Sequence, residues 1–145
     1  MVQPTTAGAL VLVTRMSRAI YRAVDADELG MTLKEFSMLN VVSDAGAVTQ
    51  RELGTLMSVD ANMVVQLLNG LESAGFAVRE RDPEDRRRHV VRITPKGVKA
   101  LTKAEQVLDR STDGVLGSLD ESERAQLHAL LAKALGDGAS SAAAA

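Results

Sequence analysis

Cysteine is absent from the chain. Disulfides, thiolate-bound zinc and a thiol redox switch are therefore excluded. Aromatic residues are almost as scarce, at 2%: Tyr21, Phe36 and Phe76 are the whole set. The core must then be aliphatic, built from Leu, Val, Met and Ala. The stacking platforms of a single-stranded nucleic-acid binder are missing. No apolar run is long enough to cross a bilayer, since Leu10-Val11-Leu12-Val13 is followed at once by Arg15 and Arg18. No secretory signal pattern is visible either, so the expected location is cytoplasmic, without a membrane partner. No Ser-His-Asp set, carboxylate dyad or glycine-rich phosphate loop is legible, and His89 and His128 lie too far apart in sequence to suggest a metal site. The expectation is a protein that is not an enzyme and holds neither metal nor cofactor.

What remains is ordinary globular material. The chain has 145 residues, 46% hydrophobic and 25% charged, enough for one domain or for a domain with added dimerisation helices. The net charge of −2 argues weakly against a nucleic-acid partner, but its distribution argues the other way. Between Arg79 and Arg92 stand six arginines and four carboxylates. That local excess of +2 leaves −4 for the rest, so one edge can approach phosphates while the remainder limits non-specific adsorption.

The central stretch, Thr49 to Gly97, carries the most informative pattern. Thr49-x-x-Glu52 has the spacing of a capping box and opens a short helix carrying Leu53 and Leu56. Met57-Ser58-Val59 turns the chain, and Asp60 can cap a second helix that runs to about Ala74 and closes at Gly75. On it Val64, Leu67, Leu68 and Leu71 share one face and point to the core. Asp60, Ala61, Asn62, Val65, Gln66 and Asn69 are left for the outside. Asn and Gln can pair bidentately with adenine, and Ala or Val can touch a thymine methyl. A solvated polar face would look the same; the neighbouring turn and hairpin favour the DNA-facing reading. Two strand-like runs, 77–81 and 90–94, flank the loop Asp82-Pro83-Glu84-Asp85-Arg86-Arg87-Arg88. Pro83 preforms that turn, while Asp82 and Asp85 can pair with arginines of the same hairpin and shape it. Arg suits a minor groove because a weakly hydrated guanidinium tolerates that confined, negative space. Of Arg86 and Arg87, one is expected in the groove and one in an ion pair within the wing, and Arg88 is a further phosphate candidate. Helix, turn, helix and basic hairpin together suggest a winged helix-turn-helix for double-stranded DNA.

Thr49-Gln50-x-x-Leu53, Leu71-Glu72-x-x-Gly75-Phe76, Arg81-Asp82-Pro83-Glu84-Asp85-Arg86-Arg87 and Val91-x-Ile93-Thr94-Pro95-x-Gly97 resemble the MarR family of bacterial transcriptional regulators. The resemblance implies a homodimer whose first and last helices intertwine. It also implies a near-palindromic operator and repression relieved by a small effector, often an aromatic acid or phenol. Arg86 and Arg87 fall on the family's Asp-Arg-Arg pattern. The chain departs from many relatives at Val65 and Gln66, where they have Thr and Arg, and at Glu84, where they have a basic residue. Loss of a recognition-helix Arg removes a guanine contact and points to an A/T-richer operator or a modest affinity. These departures also motivate an alternative, a winged-helix protein-interaction module with weak or no DNA binding.

The flanks are helical. After a loose start at 1–6, Leu10, Val13, Ser17, Ile20 and Val24 make a stripe on a helix expected over Ala7–Asp27. Thr32-x-x-Glu35 caps a second helix to about Ser43 that buries Leu33, Phe36, Leu39 and Val42. Pro95 opens a long helix with Val98, Leu101, Leu108, Val115 and Leu119 in line to about Ser118. Asp120-x-x-Glu123 caps a last helix bearing Leu127, Leu130, Leu131 and Leu135. Three amphipathic helices exceed what a small winged-helix core can cover, so a dimer interface is expected to bury the surplus. The fold class is thus α+β, mostly α: a winged helix-turn-helix with a two-stranded wing and N- and C-terminal dimerisation helices. The expected division is 1–30 and 98–136 for dimerisation, 31–97 for DNA binding, and a disordered tail at 137–145. By the resemblance, an effector pocket would lie between the dimer helices and the DNA-binding lobe. Arg15, Arg18 and Tyr21 are its polar candidates; inter-helix contacts are the alternative role for each.

Overall fold

Helix starts in this chain are set by acceptor side chains just ahead of them. Thr32, Thr49 and Asp120 each accept a hydrogen bond from the amide three residues on, and Glu35, Glu52 and Glu123 each accept one from the cap's own N–H. These are complete capping boxes, and Asp60 caps its helix through the Met63 amide at 2.8 Å. A computed structural model describes residues 5–136, in the order α1 (Thr6–Ala23), α2 (Ala26–Leu29), α3 (Leu33–Ala45), α4 (Gln50–Met57), α5 (Ala61–Ser73), β1 (Ala77–Arg81), β2 (His89–Ile93), α6 (Pro95–Ser111), α7 (Asp113–Leu116) and α8 (Glu121–Leu135). The expected tail at 137–145 and the first four residues of the expected loose start lie outside the described residues. No helix among the described residues is long and apolar enough to cross a membrane.

Two compact units emerge, residues 24–111 and residues 5–23 with 112–136. In the first, Leu29, Met38, Leu39, Val42, Leu53, Val64, Leu68, Leu71 and Val91 are fully enclosed. The core is aliphatic, as the scarcity of aromatics requires. This partition differs from the expected division at 30 and 97. Leu29 of α2 and Leu101, Ala104 and Val107 of α6 belong to the same core as the helix-turn-helix, so both helices go with it.

β1 and β2 pair antiparallel, with Arg79 opposite Val91. A third segment joins the sheet through one residue: Val48 exchanges backbone hydrogen bonds with Val91 at 3.2 and 2.7 Å. The wing is thereby anchored to the chain just ahead of α4. At the far end of α5, the Phe76 and Gly75 amides return to the Leu71 and Glu72 carbonyls, both at 2.9 Å. Gly75 sits at φ +80°, a backbone setting that favours glycine, and closes the helix as a Schellman motif. Thr94 is not a strand residue as expected. Its hydroxyl donates to the Gly75 carbonyl at 2.6 Å and accepts from the Gly97 amide at 3.0 Å, so it caps α6 while tying it to the end of α5. A Cβ on Gly97 would overlap the Phe76 carbonyl oxygen. Strand and helix can meet this closely only with glycine there.

Several sequence expectations shift by a residue or a turn. The first helix stops at Ala23, because Asp25 accepts from the Asp27 amide and starts the separate α2, which ends on Gly30 at φ 84°. The buried line of α4 runs through Leu53 and the partly buried Met57, leaving Leu56 exposed. On α6 it runs through Gly97, Leu101, Ala104 and Val107, so Val98 faces out. On α3, Met38 joins Leu39 and Val42 inside, with Leu33 and Phe36 only half-buried. The long helix also ends early, at Ser111. Beyond it the Leu116 carbonyl accepts from the Leu119 amide and from Arg124 of α8, which also bonds the Leu119 carbonyl and pairs with Asp113 at 3.6 Å. Those acceptors are thus used in a corner between α7 and α8, not in continuing a helix. Neither α1 nor α8 buries a single residue in this chain. Leu10, Val11, Leu12 and Val13 on one, and Leu130, Leu131 and Leu135 on the other, are exposed.

Candidate nucleic-acid interface

The α4–α5 pair owes its shape to Ser58, which adopts φ 55° and ψ 43° at the end of α4. Val59 N–H bonds the Gly54 carbonyl at 3.1 Å, and Asp60 then starts α5. The inward face of α5, Val64, Leu67, Leu68 and Leu71, is buried as expected. Asp60, Ala61, Asn62, Val65, Gln66 and Asn69 are all exposed. Ala61, Val65 and Asn69 follow one helical line, and Asn62, Gln66 and Asn69 the adjacent one. This is a ridge with amide donors and acceptors and two small apolar contacts. Asp60 is committed first to capping, since its Oδ1 holds the Met63 amide. A carboxylate at that point repels phosphate, so its contribution to an interface is to hold the first turn in shape.

The wing tip is built by its two aspartates. Asp82 accepts from the Glu84 amide at 2.9 Å, and Asp85 accepts from the Arg87 amide at 3.1 Å. Backbone bonds from Asp82 N–H to the Arg88 carbonyl (2.8 Å) and from Arg88 N–H to the Asp85 carbonyl (2.9 Å) close the loop around Pro83. The three arginines separate cleanly in this frame. Arg88 Nε lies 3.3 Å from Asp82 Oδ2, whose side chain is only 15% exposed. Arg88 thus braces the loop, with its own side chain 52% exposed. Arg87 Nε makes a loose 3.8 Å approach to Asp85, with its own side chain 96% exposed. The Arg86 side chain has no hydrogen-bond or ion-pair partner among the described residues; only its carbonyl is used, accepting from Arg81 Nη1 at 3.2 Å. Arg92 pairs with Glu80 across the hairpin.

Sequence reasoning passed over the most connected side chain of this region. Arg79, on the same face of β1 as buried Ala77, directs its guanidinium to Glu72 at 2.5 and 3.4 Å. The same group reaches Asn69 Oδ1 at 3.0 Å and Gln50 Oε1 at 3.1 Å. The available signal was its register: an arginine two residues from an inward Ala occupies a covered strand position and needs partners. Elsewhere, Arg15, Arg18 and Tyr21 stand exposed on α1, and none has a hydrogen-bond or ion-pair partner among the described residues. No cluster of three metal-ligating side chains occurs among the described residues.

Comparison with known proteins agrees with this geometry. A model of the MarR family matches residues 29–88, from the end of α2 to the wing tip. A protein of Thauera aromatica, assigned as a transcriptional regulatory protein for the hcr operon, is 35% identical over 114 residues, covering 79% of this chain and 68% of that protein. The multiple antibiotic resistance protein MarR of Salmonella typhimurium is 31% identical over 78 residues, 54% of either chain. Among solved structures, wild-type apo MarR from E. coli superposes with a TM-score of 0.73 at 24% identity, over 93% of this chain and 99% of that one. A cysteine-to-serine mutant of E. coli MarR in complex with operator DNA gives 0.69 at 26% identity, over 86% and 91%.

Proposed function

This chain belongs to the MarR family, a family of DNA-binding transcription regulators and not of enzymes, and from that premise we propose that it is a homodimeric repressor of a near-palindromic operator. The carrying observation is the Arg86 guanidinium, without a partner among the described residues, at the tip of a braced hairpin, beside a helix whose outer ridge is Asn62, Val65, Gln66 and Asn69. Arg86 enters the minor groove, while Arg87 gives up its loose contact with Asp85 to reach a phosphate. The Asn/Gln ridge of α5 reads the major groove, with an A/T-rich preference. That a protein of similar fold is solved in complex with operator DNA supports duplex DNA as the partner.

The exposed leucines and valines of α1 and α8 form the contact with a second copy, which spaces two recognition helices about one DNA turn apart. The protein acts in the cytoplasm. A small aromatic or phenolic effector releases it, with Arg15 and Arg18 available to a carboxylate and Tyr21 to a hydrogen-bonding group.

The test is selection of bound sequences from random duplex DNA, followed by a salt titration of the winner with wild type and an Arg86→Ala/Arg87→Ala variant. A palindromic winner whose affinity falls with salt, less steeply in the variant, is the expected result. No enriched duplex at low salt would overturn the proposal in favour of an interaction module, the reading that Glu84 at the wing tip favours.

A further inference from the structure

Arg79 joins three elements, β1, α4 and α5, through one guanidinium. Its strand partner Val91 is also the residue that bridges to Val48, so the wing, the entry to α4 and the sheet meet at one cross-section. From that position its guanidinium reaches Gln50, the first residue of α4, and Asn69 and Glu72 in the second half of α5. Side-chain exposure is 29% for Arg79 and 31% for Glu72, so both ends of this pair are part-buried, where the arginines of the wing's other ion pairs are 96%, 52% and 42% exposed. A guanidinium carries only donors. Both carboxamides must therefore face it with their oxygens, as they do, and their NH2 groups turn away as free donors. An Asn whose oxygen is engaged in this way is not set up for the bidentate donor-and-acceptor pair with adenine. It is set up to donate to a base acceptor or a phosphate oxygen.

We propose that Arg79 is a positioning residue of the DNA interface: it locks the wing, α4 and the far half of the recognition helix into one relation and fixes Gln50 and Asn69 as hydrogen-bond donors toward DNA. The inference rests on the proposed operator binding. Arg79 itself stays folded against Glu72 in the complex and neutralises no phosphate. Asn62 and Gln66, which have no such partner, keep the adenine-reading role.

The experiment compares the full-length wild type, Arg79→Met and Arg79→Lys on the operator selected by the wild type. Each is measured for affinity across a salt series and for tolerance of single base-pair changes. Arg79→Lys retains the charge and one contact with Glu72 but cannot span three partners, so it tests the geometry where the Met variant folds poorly. Both variants are expected to bind at least about tenfold more weakly, the scale of one or two lost base contacts. Both should keep the wild-type slope of log affinity against log salt, and lose selectivity at one symmetric pair of operator positions. An Arg79→Lys protein that is folded and binds as the wild type does would overturn the inference. So would a slope shallower by about one, which marks a direct phosphate contact. Failure of the wild type to select any duplex would remove the proposed function and this inference with it; a wild type that binds, with variants indistinguishable from it, would remove the inference alone.

Discussion

Arg86 and Arg88 stand two residues apart on the same loop, yet their surroundings divide their work. Arg88 is held at 3.3 Å by Asp82, and the Arg86 side chain has no hydrogen-bond or ion-pair partner among the described residues. Arg86→Ala should therefore weaken operator binding and reduce the salt slope by about one. Arg88→Ala should leave the slope nearer the wild-type value and instead speed amide exchange at Asp82 and Arg88, whose backbone bond closes the tip. A second residue-scale expectation concerns Gly97. Its missing Cβ is the space occupied by the Phe76 carbonyl oxygen, and backbone cannot swing aside as a side chain would. Gly97→Ala should cost about 3 kcal/mol, the upper part of the usual range for overpacking, measured by urea unfolding. The importance of Gly97 was legible in the Thr-Pro-x-Gly pattern. The division of labour among the arginines was not, because Asp82 and Asp85 are both within reach of all three in sequence, and only the loop's closure selects the pairs.

Elements in this chain are started by local chemistry and aimed by packing. The capping boxes at Thr32, Thr49 and Asp120 were readable because a cap involves residues three apart and little else. Asp60 caps the recognition helix in the same local way. Asp60→Ala should destabilise the protein by about 1 kcal/mol, with Asp60→Asn restoring most of it; chemical denaturation with exchange at the Met63 amide checks both. Helix phase was less legible. Leu56 and Val98 fit an apolar stripe as well as Met57 and Gly97 do, and what decided was the neighbour each helix meets. The break at Asp25 was missed because its side chain accepts from the Asp27 amide and starts a new helix where periodicity alone would continue the first; the corner after Ser111 was missed because Arg124, which bonds the Leu116 and Leu119 carbonyls there, comes from the next helix.

At the scale of the molecule, α1 and α8 enclose none of their own apolar residues, and a second copy is the proposed cover. Leu131→Glu/Leu135→Glu should shift the protein to a monomer in sedimentation. Operator affinity should fall by about 10²–10⁴, the usual worth of joining two binding modules, although no DNA-facing residue has changed. A variant that stays dimeric and binds normally would place the interface elsewhere.

The aliphatic core, the capping boxes, the helix-turn-helix and the basic hairpin were determined by the sequence alone, because each depends on composition or on residues within a few positions of one another. The tertiary structure decided which arginine is free, which faces of α4 and α6 are buried, and that Arg79 gathers Gln50, Asn69 and Glu72 around one guanidinium. Those outcomes depend on groups distant in sequence, 29 residues for Arg79 and Gln50, whose meeting is set by the packing of whole elements and by no local rule.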